Sequence, residues 1–195
     1  MNEDKNMNNV SEAVAHDVDT DSSAADRDYF RVVINAPIEK VWAELTRCDA
    51  LLPFFFNGVC KTPGLAPGAP IRMQSQDGKY TSVAGDVLEF EPPYRYAHSF
   101  KFTNLDDPLC VVRYRLKEVE GGTEFTLINE NVPAGTKTAK YMTSGGTFIT
   151  QNLKAIVETG KPTFGGRMML AMMGLFAAFT PKECLSENWP FDRKL

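Results

Sequence analysis

The chain has 195 residues, of which 43% are hydrophobic and 11% are aromatic, and its formal net charge is −4. This length allows one substantial core, so a single folded domain is expected. Residues 1–26 contain seven acidic residues and one lysine, a charge of −6 that leaves about +2 for the rest of the chain. Such a nearly neutral body has no basic surface of the kind that binds nucleic acid.

The N-terminal composition predicts a disordered acidic arm over residues 1–27, because this segment is polar and has almost no large apolar residues. It also lacks the basic start and apolar centre of a secretory signal. The four cysteines are 12, 50 and 74 residues apart, a spacing that fits neither a zinc site nor a redox motif. We therefore expect free thiols, a reducing cytosol and a cytoplasmic location.

Segments with strand and helix periodicity follow the arm and are separated by glycine and proline. A β-branched and aromatic segment at 29–37 predicts the first strand, and its final proline suits the first turn of a helix over 37–47. A shorter helix is expected at 49–55. Asp77-Gly78 marks a hairpin turn between two strands. The later strands are predicted at 70–76, 79–90, 94–102, 109–119 and 123–132.

The segment YRYAHSFKF at 94–102 alternates without interruption. Side chains on a strand point alternately to its two faces. One face of this strand therefore carries all of its aromatic residues and its histidine: Tyr94, Tyr96, His98, Phe100 and Phe102. The chain has one other histidine, His16, which lies in the acidic arm. The aromatic stripe is plain core, a catalytic site or the wall of a binding cavity.

After Pro133 the apolar period changes from two residues to three and four, which predicts a long amphipathic helix ending near Gly160. Gly145 and Gly146 fall inside this helix. Each should weaken it by roughly 1 kcal/mol relative to alanine. Either the helix is broken there or a neighbouring element packs closely against it.

Four segments are characteristic in their sequence and in their order along the chain: INAPIEKVWAELT, GDVLEFEPPYRYAHSF, VVRYRLKEVEGGTEFTLINEN and NLKAIVE. Together with the predicted elements they resemble the START-like (SRPBCC, Bet v 1-like) superfamily, and within it the activator of heat-shock-protein-90 ATPase homologue (Aha1-type) domain. The resemblance implies an α+β helix-grip fold over 28–160, in which a curved antiparallel sheet surrounds a long C-terminal helix. Pro53-Phe54-Phe55 and Phe148-Ile149 stand where family members commonly carry tryptophan, which changes the shape of the pocket.

The helix-grip fold implies a cavity between the sheet and the long helix, with the aromatic stripe on its wall. An apolar cavity with few polar groups suits a small hydrophobic or aromatic ligand. The expected function is therefore noncatalytic binding of such a ligand, as a carrier or sensor. The predicted ligand-binding residues that line the cavity are Tyr94, Tyr96, His98, Phe100, Tyr114, Asn129, Phe55, Tyr141 and Phe148.

Two other functions remain open at this stage. A histidine near phenols is compatible with an enzyme of the polyketide cyclase or aromatase kind, although the spacing identifies no catalytic partner for His98 and no catalytic residue is assigned. The family resemblance also implies a cochaperone-like interaction with the 90-kDa heat-shock chaperone. The sequence has no phosphate-binding loop, nucleophile elbow or metal-ligand cluster, so neither a cofactor nor a metal is predicted.

Residues 161–195 are expected to form an extension with an apolar, Met-rich helix. Its uninterrupted apolar run, 168–179, contains four of the eight methionines but is shorter than the roughly 20 residues that cross a bilayer. The run is therefore not a transmembrane span. Attachment to a membrane surface stays open, although the run lacks a clear basic face and a membrane partner is not favoured. The segment is a helix packed on the domain, a lid over the cavity, or a surface at 167–179 for a protein partner or a homodimer.

Overall fold

The alternating segments of the sequence form eight strands in the described part of the chain, which also contains three α-helices. The computed structural model describes residues 27–176 and 179–195, so the expected acidic arm lies outside the described residues except for Arg27. The strands are β1 (Arg27–Ile34), β2 (Leu51–Leu52), β3 (Gly58–Lys61), β4 (Pro70–Gln74), β5 (Thr81–Glu91), β6 (Arg95–Phe102), β7 (Cys110–Val119) and β8 (Gly122–Glu130). The helices are α1 (Ile38–Leu45), α2 (Lys137–Thr159) and α3 (Phe164–Phe176).

The strands form one antiparallel sheet in the order β1-β8-β7-β6-β5-β4-β3-β2. The sheet curls as a half-barrel, and the long helix α2 packs against β1 and β8. This is the expected helix-grip arrangement, so the α+β fold is confirmed. The register places His98 of β6 opposite Val112 of β7, and Val112 opposite Asn129 of β8. Side chains in this row share one face of the sheet.

The segment between α1 and β4 differs from the helix expected at 49–55. Strand β2 and one turn of 3₁₀-helix at Pro53–Phe55 occupy it, and β3 follows. Phe56 and Asn57 have φ angles of 55° and 58°, a left-handed conformation that costs about 1–2 kcal/mol for a residue with a side chain. The chain reverses at these residues, which brings β3 alongside β2. The helix prediction failed because an apolar run does not reveal such a reversal.

Helix α2 continues through Gly145 and Gly146 without a break. Thr136 caps its start by accepting a hydrogen bond from the backbone nitrogen of Ala139 at 3.1 Å, and Gly160, with φ of 78°, follows its last turn. The ring of Phe30 in β1 packs against Gly146, where an added Cβ would lie 2.5 Å from Cδ2 of that ring. The expectation of a closely packed neighbour is therefore confirmed, and the missing Cβ lets α2 approach the sheet.

The C-terminal segment after α3 is held on β4 and β5. Arg72 of β4 is fully buried, and its guanidinium donates to the carbonyl oxygens of Trp189 at 3.0 Å and Pro190 at 2.9 Å. It also donates to the carbonyl oxygen of Gly85 at 3.0 Å. A buried cation requires several acceptors in this way, and the arrangement fixes the end of the chain on the sheet.

Helix α3 therefore lies between two anchored points. On its N-terminal side, Oδ1 of Asn152 accepts hydrogen bonds from the backbone nitrogen and the hydroxyl of Thr163, each at 3.1 Å. The tail held by Arg72 anchors its other side. None of the helices in residues 27–176 and 179–195 has the length and apolar character that crossing a membrane requires.

Candidate ligand cavity

A cavity of about 890 Å³ lies between the curved sheet, α2 and α3. Small-molecule sites in proteins usually have volumes of roughly 300–1,000 Å³. The walls come from distant parts of the chain: strands β5 to β8, helix α2, the segment 51–58, the hairpin 74–80, the part of α3 at 169–174, and Thr180. The site therefore exists only in the folded protein.

The sheet supplies an apolar wall that carries two polar groups, Tyr114 of β7 and Asn129 of β8. The Tyr114 hydroxyl makes no hydrogen bond to the residues that the structure describes. Nδ2 of Asn129 donates to the carbonyl oxygen of Met142 at 3.4 Å, whereas its Oδ1 has no partner in the described chain. Both atoms are therefore available to a ligand. The apolar residues of this wall are Val83, Phe100, Phe102, Val112 and Leu127.

Helix α2 and the segment 51–58 form the opposite wall. Gly145 and Gly146 leave this part of the helix without side chains, so its backbone borders the cavity. The ring of Phe56 stacks on Phe148 of α2, with 4.4 Å between the ring centroids. The left-handed turn at Phe56 thus places an aromatic ring where the segment meets the helix, and strained conformations of this kind are often found at functional sites.

The mouth of the cavity has one polar edge and one apolar edge. The polar edge is the hairpin 74–80, in which hydrogen bonds from the Ser75 hydroxyl and the Lys79 backbone nitrogen lower the pKa of Asp77. The apolar edge is α3, where Met169 and Met173 line the cavity and are each 44% exposed. Flexible methionine side chains adapt to ligands of different shapes. This edge therefore offers loosely packed apolar area that a ligand would cover.

His98 is buried beside the cavity and not in its lining. Its ring centroid lies 5.9 Å from that of Tyr114 and 6.2 Å from that of Phe100, both of which line the cavity. Nδ1 of His98 is 2.8 Å from the carbonyl oxygen of Ser99, and because a carbonyl only accepts, Nδ1 carries the hydrogen. Burial lowers the pKa of His98 to about 4, although this hydrogen bond opposes the shift. The imidazole is therefore neutral near pH 7.

The two buried phenols of the stripe also stay neutral. Burial is the main cause that raises the pKa of Tyr114 and of Tyr96, so both hydroxyls keep their hydrogens. Within the described residues, no three His, Cys, Asp or Glu side chains are grouped to hold a metal ion. The chemistry that this arrangement offers a ligand is hydrogen bonding to neutral groups inside an apolar enclosure.

Five of the nine predicted residues line the cavity: Phe55, Phe100, Tyr114, Asn129 and Tyr141. The other four lie elsewhere in the described structure. Tyr94 is 50% exposed in the turn before β6, because the regular alternation begins only at Arg95. Tyr96 and His98 are buried in the ring cluster of the core, and Phe148 packs on Phe56. Ligand binding by any of the nine stays a prediction.

Sequence reasoning missed most of the mouth and part of the helix wall. Phe56 was not singled out because its left-handed turn leaves no signal in the sequence. The hairpin 74–80 was recognised only as a turn. Met169 and Met173 belong to the segment for which a packed helix, a lid and a partner surface were all open, and neither was predicted as a site residue. The methionine content of 168–173 was the one signal that pointed to this edge.

The match to a protein-family model covers residues 35–158, and the family is described as Activator of Hsp90 ATPase homolog 1-like protein. This range exceeds half of the chain. The chain belongs to this family. The resemblance noted in the sequence is thereby confirmed, and the matched range contains α1, the strands β2 to β8 and nearly all of α2.

Solved structures with the same fold include members from bacteria and a parasite. The Aha1 dimer from Colwellia psychrerythraea is 19% identical, with a TM-score of 0.55 over 69% of this chain and 98% of that chain. An HSP90 activator from Plasmodium falciparum is 18% identical, with a TM-score of 0.54 over 70% and 98%. CalU16 from Micromonospora echinospora is 21% identical, with a TM-score of 0.52 over 78% and 86%. These likenesses show the fold alone. No curated protein matches the chain.

Proposed function

We propose that this protein binds one small hydrophobic or aromatic molecule in the cavity, as a noncatalytic carrier or sensor in the cytoplasm. The cavity of about 890 Å³ carries this proposal. Apolar area covered on binding supplies affinity at roughly 25 cal/mol per Å². The Tyr114 hydroxyl and the Asn129 amide oxygen then fix the orientation of a ligand that carries a polar group. Four free thiols support the cytoplasmic location.

The first test is native mass spectrometry of the purified full chain, followed by denaturing extraction and identification of what was bound. We expect one small apolar compound per chain. A chain that copurifies with no compound, and that also binds neither naphthalene nor 2-naphthol in fluorescence titrations, would contradict the proposal. These two probes differ by a single hydroxyl group.

The same probes test the polar group in the wall. Tyr114→Phe removes one hydroxyl that faces the cavity, so 2-naphthol should bind about 2- to 10-fold more weakly, the usual range for one hydrogen bond, while naphthalene binding stays constant. Tyr96→Phe is the matched control, because it removes a hydroxyl outside the cavity lining. Equal weakening of 2-naphthol by both variants would show that Tyr114 has no direct contact with it.

A catalytic role of the cyclase or aromatase kind is the second candidate, since an apolar pocket with polar groups also suits a reactive polyketide chain. The structure favours binding over catalysis, because a neutral histidine with a pKa of about 4 is a poor acid or base near neutrality. Turnover of a poly-keto thioester that is lost in His98→Gln, with the fold intact by circular dichroism, would reverse this preference.

An interaction role is favoured by the exposed face of α3. Met168, Met172 and Leu175 are 57%, 54% and 79% exposed, and apolar residues grouped in this way often mark contact surfaces. The surface at 167–179 would bind a second copy of the chain or a protein partner such as the 90-kDa chaperone; residues 177 and 178 of it lie outside the described residues. A dimer mass in native mass spectrometry, or a changed chaperone ATPase rate, would support this role.

A further inference from the structure

Two cysteines flank the segment 51–58, which forms part of the cavity wall. Cys48 lies in the loop after α1, and Cys60 lies in β3. The Cys48 thiol donates a hydrogen bond to the carbonyl oxygen of Thr46 at 3.5 Å. A backbone hydrogen bond of 3.1 Å from the nitrogen of Asp49 to the carbonyl oxygen of Cys60 joins this loop to β3. The two cysteines therefore stand on neighbouring segments that the backbone holds together.

The chain conformation at Asp49 brings the loop after α1 alongside β3. Asp49 has a φ of 57°, a left-handed conformation that turns the chain between Cys48 and the strand β2. Its carboxylate pairs with Nζ of Lys61 at 2.7 Å, and Lys61 is the residue after Cys60. Two contacts of Asp49 thus hold the loop against β3, next to the two cysteines.

The two thiols differ in exposure and in ionisation. Cys48 is half-buried, whereas Cys60 is 7% exposed. Interaction with the Cys60 side chain lowers the pKa of Cys48 to about 7, against the raising effects of burial and of the Asp49 carboxylate. The same interaction is the main cause that raises the pKa of Cys60. The thiolate is the reactive form of cysteine. Cys48 is therefore the thiol that reacts first, and Cys60 is the thiol that then reacts with oxidised Cys48.

We propose that Cys48 and Cys60 form an oxidisable pair that a peroxide converts to an intramolecular disulfide. The Cys48 thiolate attacks one peroxide oxygen and breaks the O–O bond, which gives a sulfenic acid and, after protonation of the leaving oxygen, water from hydrogen peroxide. The Cys60 sulfur then attacks the Cys48 sulfur. The S–S bond forms, the S–O bond breaks, and the proton of Cys60 leaves with the hydroxyl as a second water.

The disulfide would act on the wall of the cavity. The segment between the two cysteines contributes five lining residues: Leu51, Phe55, Phe56, Asn57 and Gly58. Closing a loop with a covalent bond reduces the number of conformations that its residues reach. Oxidation would therefore hold this wall in place and slow the exchange of a ligand. This consequence rests on the proposed function, whereas the oxidation itself does not.

The sequence provides a direct measurement of the bond. Cleavage after Arg47 and Lys61 releases one tryptic peptide, 48–61, that contains Cys48 and Cys60 and neither of the other cysteines. We expect treatment of the full chain with hydrogen peroxide to remove two hydrogen atoms from this peptide, reversibly on reduction. Cys110 and Cys184 are buried, and burial raises the pKa of Cys110 to about 11. Their peptides serve as internal controls, and Cys48 should react with iodoacetamide on the order of 10-fold faster than Cys110.

Variants separate the roles of the two thiols. Cys60→Ser should leave Cys48 as a sulfenic acid that dimedone traps, and Cys48→Ser should leave Cys60 reduced. Peroxide treatment that oxidises Cys48 no faster than Cys110, or that links Cys48 only between chains, would overturn the proposal. The peptide map of the wild-type protein tests the proposal by itself, so the test does not depend on whether the variants fold.

The effect of the disulfide on the cavity is measured separately, by the rate at which a ligand dissociates. Stopped-flow dissociation of 1-anilinonaphthalene-8-sulfonate should be slower from the oxidised than from the reduced protein, and Cys60→Ser should abolish the difference. Equal dissociation rates with a fully formed disulfide would leave the thiol pair intact and refute its effect on the wall. No binding of this probe to either form, with the disulfide formed, would count against the proposed function and not against the pair.

Discussion

Substitution by alanine should have opposite effects on stability at the two adjacent glycines of α2, Gly145 and Gly146. Gly145→Ala adds a methyl group whose nearest neighbours would be ring atoms of Phe56 at 3.8 and 3.9 Å, an ordinary van der Waals distance. Alanine stabilises a helix interior by about 1 kcal/mol relative to glycine. We therefore expect the free energy of unfolding of Gly145→Ala to rise by about 1 kcal/mol.

Gly146→Ala gains the same helix propensity but meets the ring of Phe30. Its Cβ would lie 2.5 Å from Cδ2 and 2.6 Å from Cζ of that ring, whereas carbon atoms normally approach to about 3.5–4.0 Å. The ring or the helix must therefore move by about 1 Å. Overpacking of this kind costs about 1–3 kcal/mol, and we expect a cost near the upper end because several ring atoms are involved. The net loss is then about 2 kcal/mol, and the two variants should differ by about 3 kcal/mol.

Urea unfolding of both variants, followed by circular dichroism, measures this difference. The double variant Phe30→Ala with Gly146→Ala completes a mutant cycle, in which the added methyl group should no longer destabilise the chain. If Gly146→Ala stabilises the protein as much as Gly145→Ala, Phe30 does not lie against the helix. The explanation of Gly146 as the point of close approach between β1 and α2 would then be refuted.

Two further predictions concern buried polar groups. His98 has a pKa of about 4 when folded against an ordinary value of 6.5, so the unfolded chain binds more protons between these values and stability falls as pH decreases from about 6.5 to 4, by about 3 kcal/mol. His98→Gln should flatten this slope in urea unfolding at several pH values; an unchanged slope would assign the loss to other groups. Arg72→Met leaves the carbonyl oxygens of Gly85, Trp189 and Pro190 without their buried donor, so we expect a loss of about 3 kcal/mol and faster proteolysis within 182–195. The exposed Arg167→Met is the control, and equal protease resistance of the two variants would contradict the role given to Arg72.

Six of the eight described strands and the long helix α2 could be predicted from the sequence, because side-chain periodicity is a local property. Strands β2 and β3 were not predicted. The alternation in 95–102 and the period of three and four in 137–159 both follow from which residues must leave water. The cap at Gly160 is likewise local, since glycine adopts a positive φ at little cost. The order of these elements, together with four segments that resemble the family, indicated the helix-grip fold and the family.

Tyr114 and Asn129 lie on neighbouring strands, and strand alternation within the helix-grip fold was sufficient to place both on one wall. That they bind a ligand stays a prediction. The rest of the cavity lining depends on contacts between segments that are remote along the chain. Phe56 and Met169 were not predicted to line the cavity, because a left-handed turn and the position of a tethered helix depend on contacts across the fold.

Cys48 and Cys60 are the clearest example of residues whose proximity could not be predicted from the sequence. Their spacing matches no redox motif, and the sequence therefore predicted only separate free thiols. A left-handed residue at Asp49 and the pairing of β2 with β3 bring together the two segments that carry these cysteines. Distances between residues that are remote along a chain are set by how its segments fold back on one another, and this is the information that local sequence patterns do not contain.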